Sequence, residues 1–106
     1  KEISAIIKYF DLIATNVNRV VFGKNETLDK LEDGVIELLL IDEDSDDLEN
    51  IIICCQEKGT DIVTISHSTA YGVQFIKGFG GFGGVLRYDI ENNYEIDEED
   101  ENEWID

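Results

Sequence analysis

Five glycines fall within the seven positions 78–84 of Gln74-Phe75-Ile76-Lys77-Gly78-Phe79-Gly80-Gly81-Phe82-Gly83-Gly84-Val85-Leu86-Arg87-Tyr88. Glycine loses more conformational freedom on folding than any other residue, so this density needs a compensating gain in tight turning or close backbone approach. Gly78, Gly80, Gly81 and Gly83 are read as shaping a connection that runs into a strand. Phe79 and Phe82 either anchor that connection or present it outward. The run formally matches GxGxxG, but a phosphate cradle of that type follows a strand and opens a helix. Here the strand-like segment follows the glycines, which argues against nucleotide binding.

The chain has 106 residues, enough for one domain with one core. It contains no methionine, so a piece of a longer protein is expected. A formal charge of −17 disfavours binding to nucleic-acid phosphates or an anionic membrane surface and points to basic protein partners. No apolar run approaches the roughly 20 residues of a membrane span. From Glu91 to Asp106 there are nine acids and no base. A domain over 1–90 followed by an acidic, flexible tail over 91–106 is the expected organisation. Tyr94, Ile96, Trp104 and Ile105 within the tail leave open an acidic-aromatic docking peptide.

Helical and strand patterns alternate along the body. Ile3, Ile6, Ile7, Phe10 and Ile13 or Ala14 recur at three- and four-residue steps, predicting a helix over 2–15 with Phe10 on its buried stripe. Arg19 to Phe22 reads as a strand closed by Gly23. Asn25 is expected to cap a second helix that buries Leu28 and Leu31 and stops at Gly34. The continuous apolar run Val35 to Ile41 predicts a central strand covered on both faces. Asp46 with Glu49 resembles a capping box for a helix over 47–58, although Ile51-Ile52-Ile53-Cys54-Cys55 suits a strand by composition. Gly59 as terminator and Ile62 to Ile65 as a better strand favour the helix. A short helix within 68–79 and a last strand over 84–90 complete an α/β sandwich, its mixed sheet covered by helices on both faces. In that strand Val85 and Arg87 share one face and Leu86 and Tyr88 the other, so one pair is expected inward, led by Leu86, with Arg87 gripping a carboxylate of a partner or of the domain itself.

Catalytic and metal motifs fail their context. Cys54 and Cys55 are adjacent, which on a helix suits neither a disulfide nor a shared metal, and they read as small core residues. His67 is the single histidine and reads as a loop residue. Asp42, Glu43, Asp44, Asp46 and Asp47 lack the glycine and terminal glutamate of an EF-hand loop. No nucleophile, base and orienting group occur together, so no catalytic residues, metal or cofactor are expected.

The run from Gln74 to Tyr88 closely resembles the signature of the C-terminal domain of class I translation termination factors of eukaryotes and archaea, with Val85 in place of isoleucine in their Gly-Ile-Leu-Arg-Tyr motif. Lys8-Tyr9-Phe10-Asp11, Phe22-Gly23, Thr27-Leu28, Leu31-Glu32 and Val35 to Ile41 extend the resemblance over nearly the whole body. It implies an α/β sandwich of the cytoplasm that docks the class II release factor GTPase and is contacted by the ribosome-recycling ATPase. The full-length factor would meet the ribosome, with codon reading and the Gly-Gly-Gln loop in upstream domains. Phe10, Val20 and Phe79, beside Gly84, Val85, Leu86, Arg87 and Tyr88, fall where the family meets the GTPase; relatives often carry an aromatic at the Val20 position. The family's small inserted subdomain between the central strand and the next helix is expected to be missing, because only residues 42–47 join Ile41 to Leu48. The other readings are a Pelota-type ribosome-rescue factor, whose comparable segment is less glycine-rich, and an RNA-binding α/β module, which the charge disfavours.

Overall fold

The computed structural model describes residues 2–89. Its elements run α1 Glu2–Thr15, a short 3-10 turn Val17–Arg19, β1 Val20–Phe22, α2 Lys24–Glu32, β2 Ile36–Asp42, α3 Leu48–Lys58, β3 Asp61–Ile65, α4 Ala70–Phe79 and β4 Phe82–Leu86. The sheet order is β1-β4-β2-β3. β4 pairs antiparallel with both β1 and β2, and β2 pairs parallel with β3. α1 and α4 cover one face of this mixed sheet and α2 and α3 the other. The α/β sandwich expected from the alternating patterns is the fold observed. The acidic segment 91–106, with Tyr94, Ile96, Trp104 and Ile105, lies outside the described residues.

Two separate cores follow from strand alternation. Val21, Leu39, Ile41, Phe82 and Leu86 meet Leu31, Ile51 and Cys55 under α2 and α3. Val20, Leu40 and Val85 meet Ala5, Ile6, Tyr9 and Phe75 under α1 and α4. β2 keeps both faces apolar through a bulge. Ile36 pairs with Leu86 and Leu38 with Val85, leaving Glu37 as the extra residue. Without it Ile36 would share a face with Leu38; with it Ile36 joins Leu39 and Ile41 in the α2/α3 core. Glu37 is released toward the surface, where it takes Lys8 at 3.3 Å and Arg19 at 2.9 Å. These half-exposed pairs contribute at most about 1 kcal/mol each. Arg19 adds two bonds, at 2.8 and 3.2 Å, to the Leu86 carbonyl and so ties the end of β4 to the turn before β1.

Several local expectations shift. The buried stripe of α1 is Ala5, Ile6 and Tyr9, with Leu12 and Ile13 packed beside them, while Ile3 and Ile7 are exposed. The stripe is rotated by about one residue because Tyr9, rather than Phe10, enters the core and donates its hydroxyl to the Val21 carbonyl at 2.6 Å. Helix α2 starts at Lys24 with Gly23 as its cap residue, not Asn25. Helix α3 starts after Asp47, whose carboxylate accepts from the Asn50 side chain at 2.9 Å, so the Asp46 capping box does not form. The isoleucine run is helical because Ile51 and Cys55, four residues apart, share the buried face while Ile53 is exposed. Burial pushes the Cys55 thiol up to about 11, with Cys54 adding to the shift, so it is an inert core group. β4 starts at Phe82 and stops at Leu86, earlier at both ends than read from the sequence. Val85 and Leu86 are both buried, one in each core, because β4 is an interior strand; Arg87 and Tyr88 have already left the sheet.

Candidate functional site

The glycine run divides among three structural settings. Gly78 lies within α4, Gly80 and Gly81 form the turn, and Gly83 and Gly84 belong to β4. Only Gly80 and Gly81 have positive φ, 67° and 78°, the left-handed conformation that ends α4 and reverses the chain into β4. Gly83 answers to close packing. A Cβ there would fall 2.6–3.0 Å from the hydroxyl and ring of Tyr9. The missing side chain therefore admits Tyr9 into the core, and Tyr9 in turn organises the aromatic residues around it.

Tyr9, Phe10, Phe22, Phe75 and Phe79 form one cluster at the α1/α4 face. Phe79 sits at its centre, stacked on Phe22 at 5.6 Å with 15° between planes and edge-on to Tyr9 at 5.4 Å. Phe10 and Phe75 lie 5.8 Å from it on other sides. Tyr9 and Phe75 are fully buried, Phe22 is 37% exposed, and Phe10 and Phe79 lie between these limits. The cluster is rooted in the core and opens onto the surface as a Phe10–Phe79–Phe22 edge. Burial, and to a lesser degree the charge of Glu26, raises the Tyr9 hydroxyl above its ordinary range and keeps it a neutral donor to Val21. Phe82 points to the opposite core, with the Lys24 ammonium 5.9 Å from its ring centre.

The residues singled out from the sequence separate by accessibility. Val20 is 6% exposed, and Gly84, Val85 and Leu86 are also buried. In the domain by itself these four residues present almost no surface, and they lie beneath the exposed residues around them. Phe10 and Phe79 reach the surface, as do Arg87 and Tyr88 at the other end of β4. No ion pair joins Arg87 to a carboxylate among the described residues. Its guanidinium donates to the carbonyls of Gly34, Lys58 and Gly59 at 3.0–3.2 Å, joining the end of α3 to the turn before β2. Phe22, Tyr9 and Phe75 were missed as site residues. They stood in the segments that carry the resemblance, but ring contacts across three elements leave no spacing that would group them.

A second constellation also escaped the sequence. His67 Nε2 lies 2.8 Å from Asp42 Oδ1 and 3.3 Å from Asp44 Oδ2. The three residues are the one group among the described residues whose side-chain donors converge as metal ligands would. The hydrogen bond to Asp42 foremost raises the His67 pKa above 6.5; desolvation opposes it, and the charges of Asp42, Asp44 and Glu43 each add a smaller upward effect. A raised folded-state pKa contributes stability that is complete below the unfolded value and vanishes as pH rises through the folded one. In buffer freed of metal ions, the wild type is therefore expected to melt above His67→Gln at pH below about 6.5, the ordinary histidine value, with the gap closing at higher pH. Melting midpoints across pH test this; a gap that does not change with pH would refute it.

The layers, the sheet order and the aromatic edge define a three-layer α/β domain built around an interior glycine-containing strand. The chain belongs to the eRF1 domain 3 family, whose pattern matches residues 1–90. The eukaryotic peptide chain release factor subunit 1 of Cryptosporidium hominis is 28% identical over 152 residues, covering 99% of this chain and 35% of the relative. The chain thus spans about a third of the length of that curated relative. A match of 152 residues also exceeds the 106 in this chain, so the relative carries a segment that is missing here. The crystal structure of an archaeal translation termination factor, aRF1, superposes with a TM-score of 0.76 and 29% identity, over 82% of this chain and 25% of that one. The Thermoplasma acidophilum Pelota protein superposes with a TM-score of 0.70 and 30% identity, over 81% and 28%. Among the described residues no helix is long and apolar enough to cross a membrane.

Proposed function

We propose that this domain is the GTPase-docking module of a cytoplasmic class I peptide chain release factor. Its aromatic edge meets the class II release factor GTPase during translation termination. The observation that carries the reading is the partly exposed Phe10–Phe79–Phe22 edge, because aromatic side chains rooted in a core are rigid anchors that give up little freedom on binding. A charge of −17 favours a basic partner surface and supports electrostatic steering. The matched release factors favour termination over rescue, and so does the glycine run. The recycling ATPase is a second partner in this reading, and the parent protein meets the ribosome through its other domains. Catalysis belongs to those domains, and this one contributes binding.

The reading is tested with the class II GTPase and two variants. Phe79→Ala is expected to weaken binding by about tenfold or more, and Phe22→Ser, at the exposed rim, to weaken it less. Binding within about twofold of wild type by a Phe79→Ala domain with native circular dichroism would remove the aromatic edge as anchor.

A further inference from the structure

We propose that Asp42, Asp44 and His67 form a binding site for a divalent transition-metal ion, with zinc as the best-fitting occupant. This goes beyond the docking reading and does not rest on it. The three residues come from two connections at one end of the sheet. Asp42 ends β2, Asp44 lies in the connection to α3, and His67 lies between β3 and α4. Zinc is bound by imidazole nitrogen and carboxylate oxygen at about 2.0–2.2 Å, which places neighbouring ligand atoms about 3 Å apart at ordinary coordination angles. The separations from His67 Nε2, 2.8 and 3.3 Å, already have this size, and all three donor atoms lie within 4.8 Å of one another.

The frame beneath these donors is held by other contacts. The Asp42 amide donates to the Gly81 carbonyl at 2.8 Å, and the Glu43 amide to the Ile65 carbonyl at 3.0 Å. Gly81 packs so closely on Asp42 that a Cβ there would lie 2.9 Å from the Asp42 Cβ. The backbone amide of Asp44 donates to Asp42 Oδ1 at 2.9 Å, which helps to orient that carboxylate. Charge acts in the same direction. Five of the six residues 42–47 are acids, and among the described residues their only ion-pair partner is His67.

The donor set selects the class of ion. Calcium and magnesium take oxygen ligands, whereas an imidazole nitrogen beside two carboxylates suits zinc, cobalt or nickel. With three protein ligands at an exposed site, the remaining position faces outward, open to water or to a side chain of a bound protein. An ion here would join the β2–α3 and β3–α4 connections, with Gly81 and its turn packed against Asp42.

Zinc titrated calorimetrically into the chelator-stripped 106-residue chain, with excess magnesium to occupy carboxylate-only sites, is expected to show one saturable site. His67→Gln and Asp44→Asn should each weaken it by about tenfold or more, while Asp46→Asn and Cys54→Ser stay within about twofold. The resonances of the single imidazole should shift with the same saturation. Absence of saturable zinc binding at millimolar concentration, wild-type affinity in His67→Gln, or loss of binding in Cys54→Ser would each overturn the site.

Discussion

Gly72→Ala is expected to destabilise the domain by about 3 kcal/mol or more, although alanine is the better helix former by about 1 kcal/mol. Gly72 is the third residue of α4, where its amide donates to the Thr69 hydroxyl at 2.9 Å. A Cβ at this position would penetrate the backbone carbonyl oxygen of Ser66 and lie 3.0 Å from Thr69 Oγ1 and 3.3 Å from Ile65 Cγ2. Backbone cannot swing aside as a side-chain tip can. Relief requires α4 to move from the end of β3, with loss of the Thr69 cap, itself worth about 1 kcal/mol. Denaturant unfolding of the two chains decides between packing and propensity. A midpoint at or above wild type would mean that the crossing of α4 over residues 66–69 is looser than described.

Gly83→Ala is expected to cost a comparable amount, about 3 kcal/mol, through a different atom. The new methyl would meet the Tyr9 hydroxyl at 2.6 Å and its ring carbons at 2.7 and 3.0 Å. The ring is fully buried and donates to Val21, so moving it leaves a buried carbonyl without its partner and disturbs the packing of Phe10, Phe22, Phe75 and Phe79. Tyr9→Phe alone removes the hydrogen bond and should cost about 1–2 kcal/mol. In the double variant the hydroxyl nearest the methyl is gone, so the losses should sum to more than the double variant's own loss. Additive losses would show that Gly83 is not required by Tyr9. The same variants bear on the proposed docking edge, since Phe79 rests on the displaced ring.

The type and order of the regular elements were legible because they depend on short-range periodicity. The apolar run of β2, the three- and four-residue steps of α1 and the Gly59 stop of α3 each reflect backbone geometry over a few residues. Faces were less legible. Burying Tyr9 instead of Phe10 follows from a glycine more than seventy residues away, and the faces of β2 depend on a bulge at Glu37 that pairing with β4 creates. The aromatic edge was half visible, in Phe10 and Phe79. Phe22 joined it only when β1 was placed beside β4.

The opposite burial of Val85 and Leu86 is another case where partners decided. Alternation put them on opposite faces, but only an interior position for β4 makes both faces core. His67 shows the same division most clearly. Its sequence neighbours are no set of metal ligands, and the parallel pairing of β2 with β3 brings the two connections together so that Asp42 and Asp44 meet it across 25 and 23 positions. The sequence by itself determined the alternating helices and strands, the acidic charge and the place of the tight turn, because these arise from local backbone preference and composition. Tertiary structure alone decided which aromatic rings reach the surface, which glycines serve packing rather than turning, and which acids surround the histidine. Those properties depend on distances between segments remote in sequence, which are set only when the two cores close on either side of the sheet.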